Sequence, residues 1–350
     1  MNCQFSNKKF SDALIDWYKK NKRVLPFREN QEPYRIWISE IMLQQTQMKT
    51  VIPYYTRFIK RFPTIKELAS SCEEEVLKYW EGLGYYSRAK NIYKTAQDIV
   101  SKYHGVFPSD YKTILSLKGI GSYTAGAISS IAFNKPYPAV DGNVMRVLSR
   151  VLDIWDDIRL SKTKSIFESI VKELISKDDP SSFTQGLMEL GALICTPKGQ
   201  KCHLCPVNFC CKAYHEGYDD ELPVKGEKTK QTKVKLVMVI IENDKNQFLV
   251  RKRSASGLLA NFWEFIQFES KTFEEFQQNL FDHDGIEIKE ESYLGEFKHV
   301  FTHRIWEIKA YLATLYDSSD LPHHFKLVTK DEIEKISFST IHKKILHQFK

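Results

Sequence analysis

The sequence predicts a multidomain chain: an all-α domain over residues 1–218, a solvated linker at 219–234 and a compact α+β domain over 235–350. Three observations carry this reading. Up to the cysteine-rich stretch, apolar side chains recur at three- and four-residue spacing with almost no strand alternation, the pattern of amphipathic helices. Residues 219–233 contain Leu-Pro-Val-Lys-Gly-Glu-Lys-Thr-Lys-Gln-Thr-Lys, which has no apolar periodicity and stays solvated. From Lys235 onward the texture changes to β-rich runs separated by turns.

Taken in order, the spacing predicts helices at 10–20, 34–47, 50–61, 73–80 and 87–103. Breaks fall where Pro and Gly punctuate the chain: Pro26, Pro33, Pro63, Gly82-Leu83-Gly84, Gly105 and Pro108. Further helices follow at 111–117, 123–133, 142–151, 162–176 and 181–194. Beyond the linker, strands are expected at 236–241 and 248–252 around a turn at 243–246, then at 263–268, 293–301 and 305–315. Helices at 273–283 and 339–349 complete an α+β domain of ordinary size. No internal repeat or low-complexity tract interrupts the chain.

At 350 residues the chain is long enough for two or three separate cores. Its longest apolar runs, such as 236–241, are far too short to cross a bilayer. The first residues lack the apolar core and small-residue cleavage site of a signal peptide, so a cytoplasmic protein with no membrane partner is expected. The net charge of +7 is unevenly spread. Residues 1–218 hold 31 Lys and Arg against 22 Asp and Glu, whereas residues 235–350 hold 16 against 18. A basic front half suits a polyanionic partner.

The most informative stretch runs from Leu117 to Arg150. Gly119 and Gly121 separate a short apolar helix from a second one starting near Tyr123, so that residues 111–133 read as a helix-hairpin-helix. Glycine allows the sharp turn and lets another backbone come close. The new helix then offers free N–H groups and its positive dipole end, a ready phosphate site. Downstream, a single carboxylate, Asp141, opens another helix. An Asp there also serves as a helix N-cap, and a capped carboxylate is an oriented one. A phosphate grip feeding a lone acid points to chemistry on a nucleic acid.

Seven cysteines are present, and Cys195, Cys202, Cys205 and Cys211 form a C-x6-C-x2-C-x5-C pattern. In a cytosolic protein such a cluster is a metal site sooner than a disulfide set. Four thiolates suit zinc or an iron–sulfur cluster equally, and Cys210 beside Cys211 leaves the fourth ligand open on spacing alone.

With these motifs in hand, residues 1–218 resemble the endonuclease III superfamily of DNA glycosylases. That family carries a helix-hairpin-helix ending Gly-(Val/Ile)-Gly, a downstream Asp and a [4Fe–4S] loop, matched here by Gly119, Gly121, Asp141 and the loop 195–211. The resemblance implies a [4Fe–4S] cofactor over zinc, and Cys211 over Cys210. Within the superfamily, Trp37-Ile-Ser-Glu40-Ile-Met-Leu-Gln-Gln-Thr46-Gln resembles the active-site helix of MutY-type adenine DNA glycosylases. Glu40 then inherits the role of proton donor to adenine. Apolar neighbours disfavour its charged form, which would raise its pKa and suit that task.

Position 123 discriminates further. Strand-nicking members have a lysine there, whose amine forms a Schiff base with the sugar. With Tyr123 that route is not expected at this site; Lys118, the only nearby amine, is read as a phosphate contact, so a monofunctional enzyme is expected. The stretches Gly257–Phe265 and Lys298–His303 resemble the Nudix-like MutY domain that recognises 8-oxoguanine. The glutamate-rich magnesium helix of Nudix hydrolases is missing from residues 273–285, so the domain is expected to sense a base without hydrolysing a pyrophosphate.

The resemblance also implies the supporting cast. Gln45 and Tyr85 wedge into the base stack, with Thr46 and Leu83 near the lesion. Tyr123 and Asn143 support the two acids, Gln185 reads the adenine edge, and Arg23 and Arg28 line the pocket. Thr302 and His303 stand in the lesion loop, where Thr302 replaces the usual serine; Phe27 and Ile266 also depart from the common Trp and Pro. The expected partner is double-stranded DNA bearing adenine opposite 8-oxoguanine or guanine, bound by a monomer at the nucleoid; a replication-clamp contact is not legible. Two alternatives stand beside this reading: a bifunctional glycosylase with lyase activity, and a non-catalytic DNA-binding iron–sulfur protein.

Overall fold

The computed structural model describes residues 6–227, 231–316 and 321–349. The chain divides into two compact units, Met1–Ser70 with Ser87–Glu227 and Ser71–Tyr86 with Lys228–Lys350.

The first unit is helical throughout its described residues. Its longer helices are Asn7–Asn21, Pro33–Leu43, Met48–Arg61, Ser87–Tyr103, Ser122–Ile131, Gly142–Leu152, Ser161–Leu174 and Pro180–Leu193. Local chemistry sets their starts. Glu32 and Asp179 accept the first free backbone N–H groups while Pro33 and Pro180 occupy the opening position, where a missing N–H costs nothing. One core cluster joins the first helix to those at 142–152, 161–174 and 180–193 through Phe10, Leu14, Val147, Phe167, Phe183 and Leu187. Short helices at Ile65–Ser70 and Lys212–Glu216 carry too few residues for the periodicity to show.

The helix expected at 34–47 stops earlier, at Leu43. Gln44 is extended and Gln45 adopts a left-handed φ of 56°. The cause is a buried guanidinium: Arg88 Nη1 donates to the carbonyls of Ile41, Met42 and Gln44 at 2.8, 3.0 and 2.6 Å. It satisfies carbonyls that a continuing helix would otherwise have used.

The second unit is built on one mixed sheet. Its strands are β1 (Thr232–Glu242), β2 (Phe248–Lys252), β3 (Trp263–Glu264), β4 (Ile266–Phe268), β5 (Ile288–Val300), β6 (Arg304–Leu315) and β7 (Phe325–Val328). The path runs β3-β2-β1-β6-β5, with β4 on β1 and β7 on β2. β1 and β6 are parallel, in register from Thr232↔Arg304 to Glu242↔Thr314. The apolar run of β1 is buried on both faces. Leu236, Met238 and Ile240 meet Ile333, Ile341 and Ile345 in one core, while Val237, Val239 and Ile241 meet Phe273, Phe276 and Leu280 in another. Helices thus cover both faces, as a continuous apolar strand requires.

Three expectations shift here. β1 begins at Thr232, inside the stretch expected to be linker, because its first residues are polar and exposed yet still ladder onto β6. The strand expected at 263–268 splits at Phe265, whose N–H donates to His342 Nδ1 at 2.9 Å. Burial pushes the His342 pKa down to about 3, which keeps that nitrogen an acceptor. Residues 71–86 lie within the stretch read as one helical domain, yet they pack into the second unit. Their helix Glu73–Trp80 takes hydrogen bonds from Asn261 and Trp263 on Glu73 and Glu74, and Ser337 Oγ donates to the Glu74 carbonyl.

Candidate active site

In the first unit, two carboxylates are set by four elements. Glu40 sits on helix Pro33–Leu43 and is fully buried. Arg28 Nη2 donates to its Oε1 at 2.6 Å, and the Tyr123 hydroxyl donates to Oε2 at 2.7 Å. The apolar surroundings expected of Glu40 are therefore interrupted by a cation and a phenol that fix both oxygens. Burial opposes the Arg28 charge, but the Glu40 carboxylate beside it prevails and raises its pKa. Burial raises the Tyr123 pKa well above its ordinary value, helped by Glu40 and Asp141, so the phenol remains a donor.

Asp141 caps helix Gly142–Leu152. Its Oδ1 accepts the Val144 N–H at 2.8 Å and its Oδ2 accepts Asn143 Nδ2 at 3.0 Å. Burial raises its pKa, and these two donors work against that rise. Asn143 is itself held: Arg146 Nη2 donates to its Oδ1 at 2.8 Å and to the Gly191 carbonyl at 2.7 Å. A side chain at Gly191 would strike Asn143 Cβ at 2.7 Å, so glycine permits this approach. Capping and orientation therefore coexist in Asp141.

Tyr123, Asp141 and Asn143 line a cavity of about 610 Å³ together with Gln45, Thr46 and Gly121. Of the two hairpin glycines, Gly121 lines this cavity. Gly119 has φ +79° and lies against Asn91, where a Cβ would come within 2.7 Å. Gly121 is the N-cap of helix Ser122–Ile131. Lys118 is exposed, with its carbonyl taken by Thr95 Oγ1. Among the lining residues that sequence reasoning did not assign are Gln44, Ser122 and Lys164. Lys164 Nζ donates to Ser122 Oγ at 3.1 Å, and that hydroxyl donates to Glu168. Only the fold brings residue 164 to the hairpin.

The remaining expected residues are more scattered. Arg23 pairs with Glu189 at 2.8 Å. Gln185 turns its amide back to Ser181 on its own helix at 3.2 Å. Leu83, Tyr85, Thr302 and His303 belong to the second unit. There Tyr85, at φ 48°, shares a 2.5 Å hydroxyl–hydroxyl hydrogen bond with Thr302, at the exposed turn between β5 and β6.

Cys195, Cys202, Cys205 and Cys211 line one cavity in the first unit, while Cys210 Sγ instead donates to the Val207 carbonyl at 3.3 Å. Among the described residues, no three His, Cys, Asp or Glu side chains already stand at metal-binding spacing. The donor set nevertheless fits a thiolate-bound cluster. Burial pushes the Cys202 and Cys205 thiols up to about 12, a cost that a bound metal removes by taking the thiolate. Arg150 Nη1 donates to Cys195 Sγ at 3.4 Å.

Comparison with known proteins gives the same assignment. Residues 38–176 match the HhH-GPD superfamily of base excision DNA repair proteins, and residues 236–348 match the NUDIX domain. The chain is 38% identical to an adenine DNA glycosylase of Buchnera aphidicola subsp. Schizaphis graminum, over 85% of this chain and 86% of that one. It is 32% identical to the adenine DNA glycosylase of Schizosaccharomyces pombe, over 86% and 80% of the two chains. For the human adenine DNA glycosylase the identity is 31%, over 97% and 74%. Among solved structures, a thermostable thymine-DNA glycosylase matches 60% of this chain and 97% of its own, with a TM-score of 0.54 and 26% identity. Endonuclease III in a non-covalent DNA complex shares the fold at a TM-score of 0.51 and 23% identity, over 61% of this chain and 99% of its own. With its buried Glu40 and half-buried Asp141, its hairpin and its Nudix-like second domain, the chain belongs to the adenine DNA glycosylase family.

Proposed function

We propose that this enzyme removes adenine opposite 8-oxoguanine or guanine in DNA by hydrolysing the N-glycosyl bond, and that Glu40 and Asp141 carry the reaction. The observation that supports this most is the pair of carboxylates, Glu40 buried and bonded to Tyr123, Asp141 half-buried on a cavity that Tyr123 also lines and the hairpin edges. A base stacked in a duplex is out of reach, so the adenosine must be extruded, at a cost of about a few kcal/mol. Glu40 delivers a proton to N7 of the extruded adenine, converting a poor leaving group into a neutral one. Arg28 and Tyr123 hold its two oxygens in place during delivery. Among the described residues Arg28 Nη1 is buried with no hydrogen-bond partner, so a donor is left over for the base.

As the bond breaks, positive charge develops on the sugar. Asp141 acts ionised and stabilises that charge, in the manner of the carboxylate facing an oxocarbenium-like sugar in glycoside hydrolysis. Its backbone and Asn143 donors favour the charged form against burial. Water then adds to C1′ of the sugar and its proton returns to the Glu40 carboxylate; Tyr123 offers no amine, so the reaction stops at an abasic site. Tyr85 and Gln45 fill the gap left by the base, and Thr302 and His303 read the opposite 8-oxoguanine. Gln185 contacts the adenine edge once its amide turns from Ser181, and Arg23 lines the pocket. Cys195, Cys202, Cys205 and Cys211 hold a [4Fe–4S] cluster, which when bound cross-links the 195–211 loop.

The test is incubation with duplexes bearing adenine opposite 8-oxoguanine, guanine or thymine, followed by alkali. Cleavage at the adenine is expected only after alkali, fastest opposite 8-oxoguanine and absent opposite thymine. No cleavage opposite 8-oxoguanine overturns the reading. A borohydride-trapped covalent adduct would favour a lyase instead.

A further inference from the structure

Glu81 immediately precedes the Gly82–Tyr86 loop, and two cations hold its carboxylate. Lys78 Nζ, one turn back, lies 2.9 Å from Oε2, and Lys343 Nζ, from helix Thr340–Phe349, lies 2.9 Å from Oε1. Lys343 is only 8% exposed and also meets Glu334 Oε2 at 3.3 Å, a carboxylate shared with His347. An ammonium buried this far remains only because carboxylates surround it. Downstream, the backbone turns through left-handed φ values at Gly82, Gly84 and Tyr85 (98°, 71° and 48°). A tyrosine holds such a conformation only where its surroundings enforce it. Here Trp80 Nε1 donates to the Gly84 carbonyl at 3.1 Å, and the Gly82 N–H donates to the Tyr86 hydroxyl at 3.1 Å. The Tyr86 ring packs 4.2 Å from that of Phe262. The loop is thus fastened at Glu81 and at Tyr86, and between them Tyr85 meets Thr302.

We infer that Lys343 is a positioning residue: through Glu81 it sets the loop that carries Tyr85, so that wedging and reading of the opposite base belong to one unit. The inference rests on the proposed wedge role of Tyr85. No part of the chemistry requires this ion pair, so its loss should act on extrusion and leave proton delivery aside.

The experiment uses full-length protein carrying Glu40→Gln, with a duplex holding 2-aminopurine opposite 8-oxoguanine; the fluorescence rise reports extrusion. Lys343→Met and Glu81→Gln should each lower the extrusion equilibrium roughly fivefold or more, and the double variant should lose no more than either alone, as coupled partners do. Lys343→Arg keeps the charge and should extrude better than Lys343→Met. Glu81→Gln preserves side-chain volume and carries the comparison should Lys343→Met fail to fold. If both single variants extrude within about twofold of the parent while Tyr85→Ala does not, the inference falls and the wedge reading survives. If Tyr85→Ala also extrudes normally, the wedge reading itself falls and takes the inference with it.

Discussion

The carboxylate site of the first unit and the hairpin turn of the second are built on opposite terms. Around Glu40 and Asp141 all four carboxylate oxygens have partners, and one of the donors, Asn143, is itself held by Arg146. At the turn between β5 and β6, Thr302 and His303 face solvent, and Tyr85 is 42% exposed on a strained loop. The difference follows from the tasks. Charges that act on a transition state serve best when oriented before the substrate arrives. Groups that sense a base in a duplex must keep edges open for it, and the strain that holds Tyr85 is the means of presenting one.

The largest expected break in this contrast comes from Asp141→Asn. It keeps the cap and the shape but removes the charge facing the sugar. Single-turnover adenine release should fall roughly 10²–10³-fold, the scale of losing one preorganised electrostatic stabiliser. Retention of normal rate would remove Asp141 from the chemistry.

Asn143→Ala sharpens the contrast through pH. Asp141 must be ionised to act, so the rate falls on the acid side as its raised pKa is crossed. The Asn143 donor lowers that pKa. Its removal should move the acid limb of the single-turnover profile upward by about half to one pH unit, with most of the rate recovered at higher pH. An unmoved limb would mean that Asn143 does not tune Asp141. The stability sign is the reverse of the common Asp case: because the folded pKa is raised, ionising Asp141 costs stability as pH climbs from the unfolded value, about 4, through the folded one.

The smallest effect is expected at the exposed turn. Thr302→Val keeps the shape but removes the hydroxyl bonded to Tyr85. A loss of about 1 kcal/mol should cut the preference for 8-oxoguanine over guanine about fivefold and leave removal opposite guanine little changed. Equal losses opposite both bases would contradict a sensing role for Thr302.

Much of the carboxylate site was legible in the residues because its chemistry needs fixed types at fixed spacing. Asp141 before Gly142-Asn143, Gly119 and Gly121 in the hairpin, and Tyr123 in place of an amine all declare themselves locally. The fold's halves were equally visible, since three- and four-residue spacing and β-rich runs are local signals. What the sequence hid is set by distant partners. The amphipathic helix Glu73–Trp80 announces a face to bury but not that Asn261 and Trp263 meet it. Lys164 joins the cavity only once its helix stands beside the hairpin. The early end of helix Pro33–Leu43 depends on Arg88, which no periodicity could assign to those carbonyls. β7 is four residues long with polar Lys326 inside it, too short to register as a strand.

The central claim is that a proton from Glu40 breaks the bond to adenine. The direct measurement is single-turnover base release by Glu40→Gln on a duplex with adenine opposite 8-oxoguanine, alongside equilibrium binding of the same duplex. Glutamine keeps the size and hydrogen bonding of the side chain but cannot deliver the proton. Release should fall by roughly 10²–10⁴-fold, the usual worth of a positioned general acid, while DNA affinity stays within about threefold. Turnover near that of the parent enzyme would contradict the account.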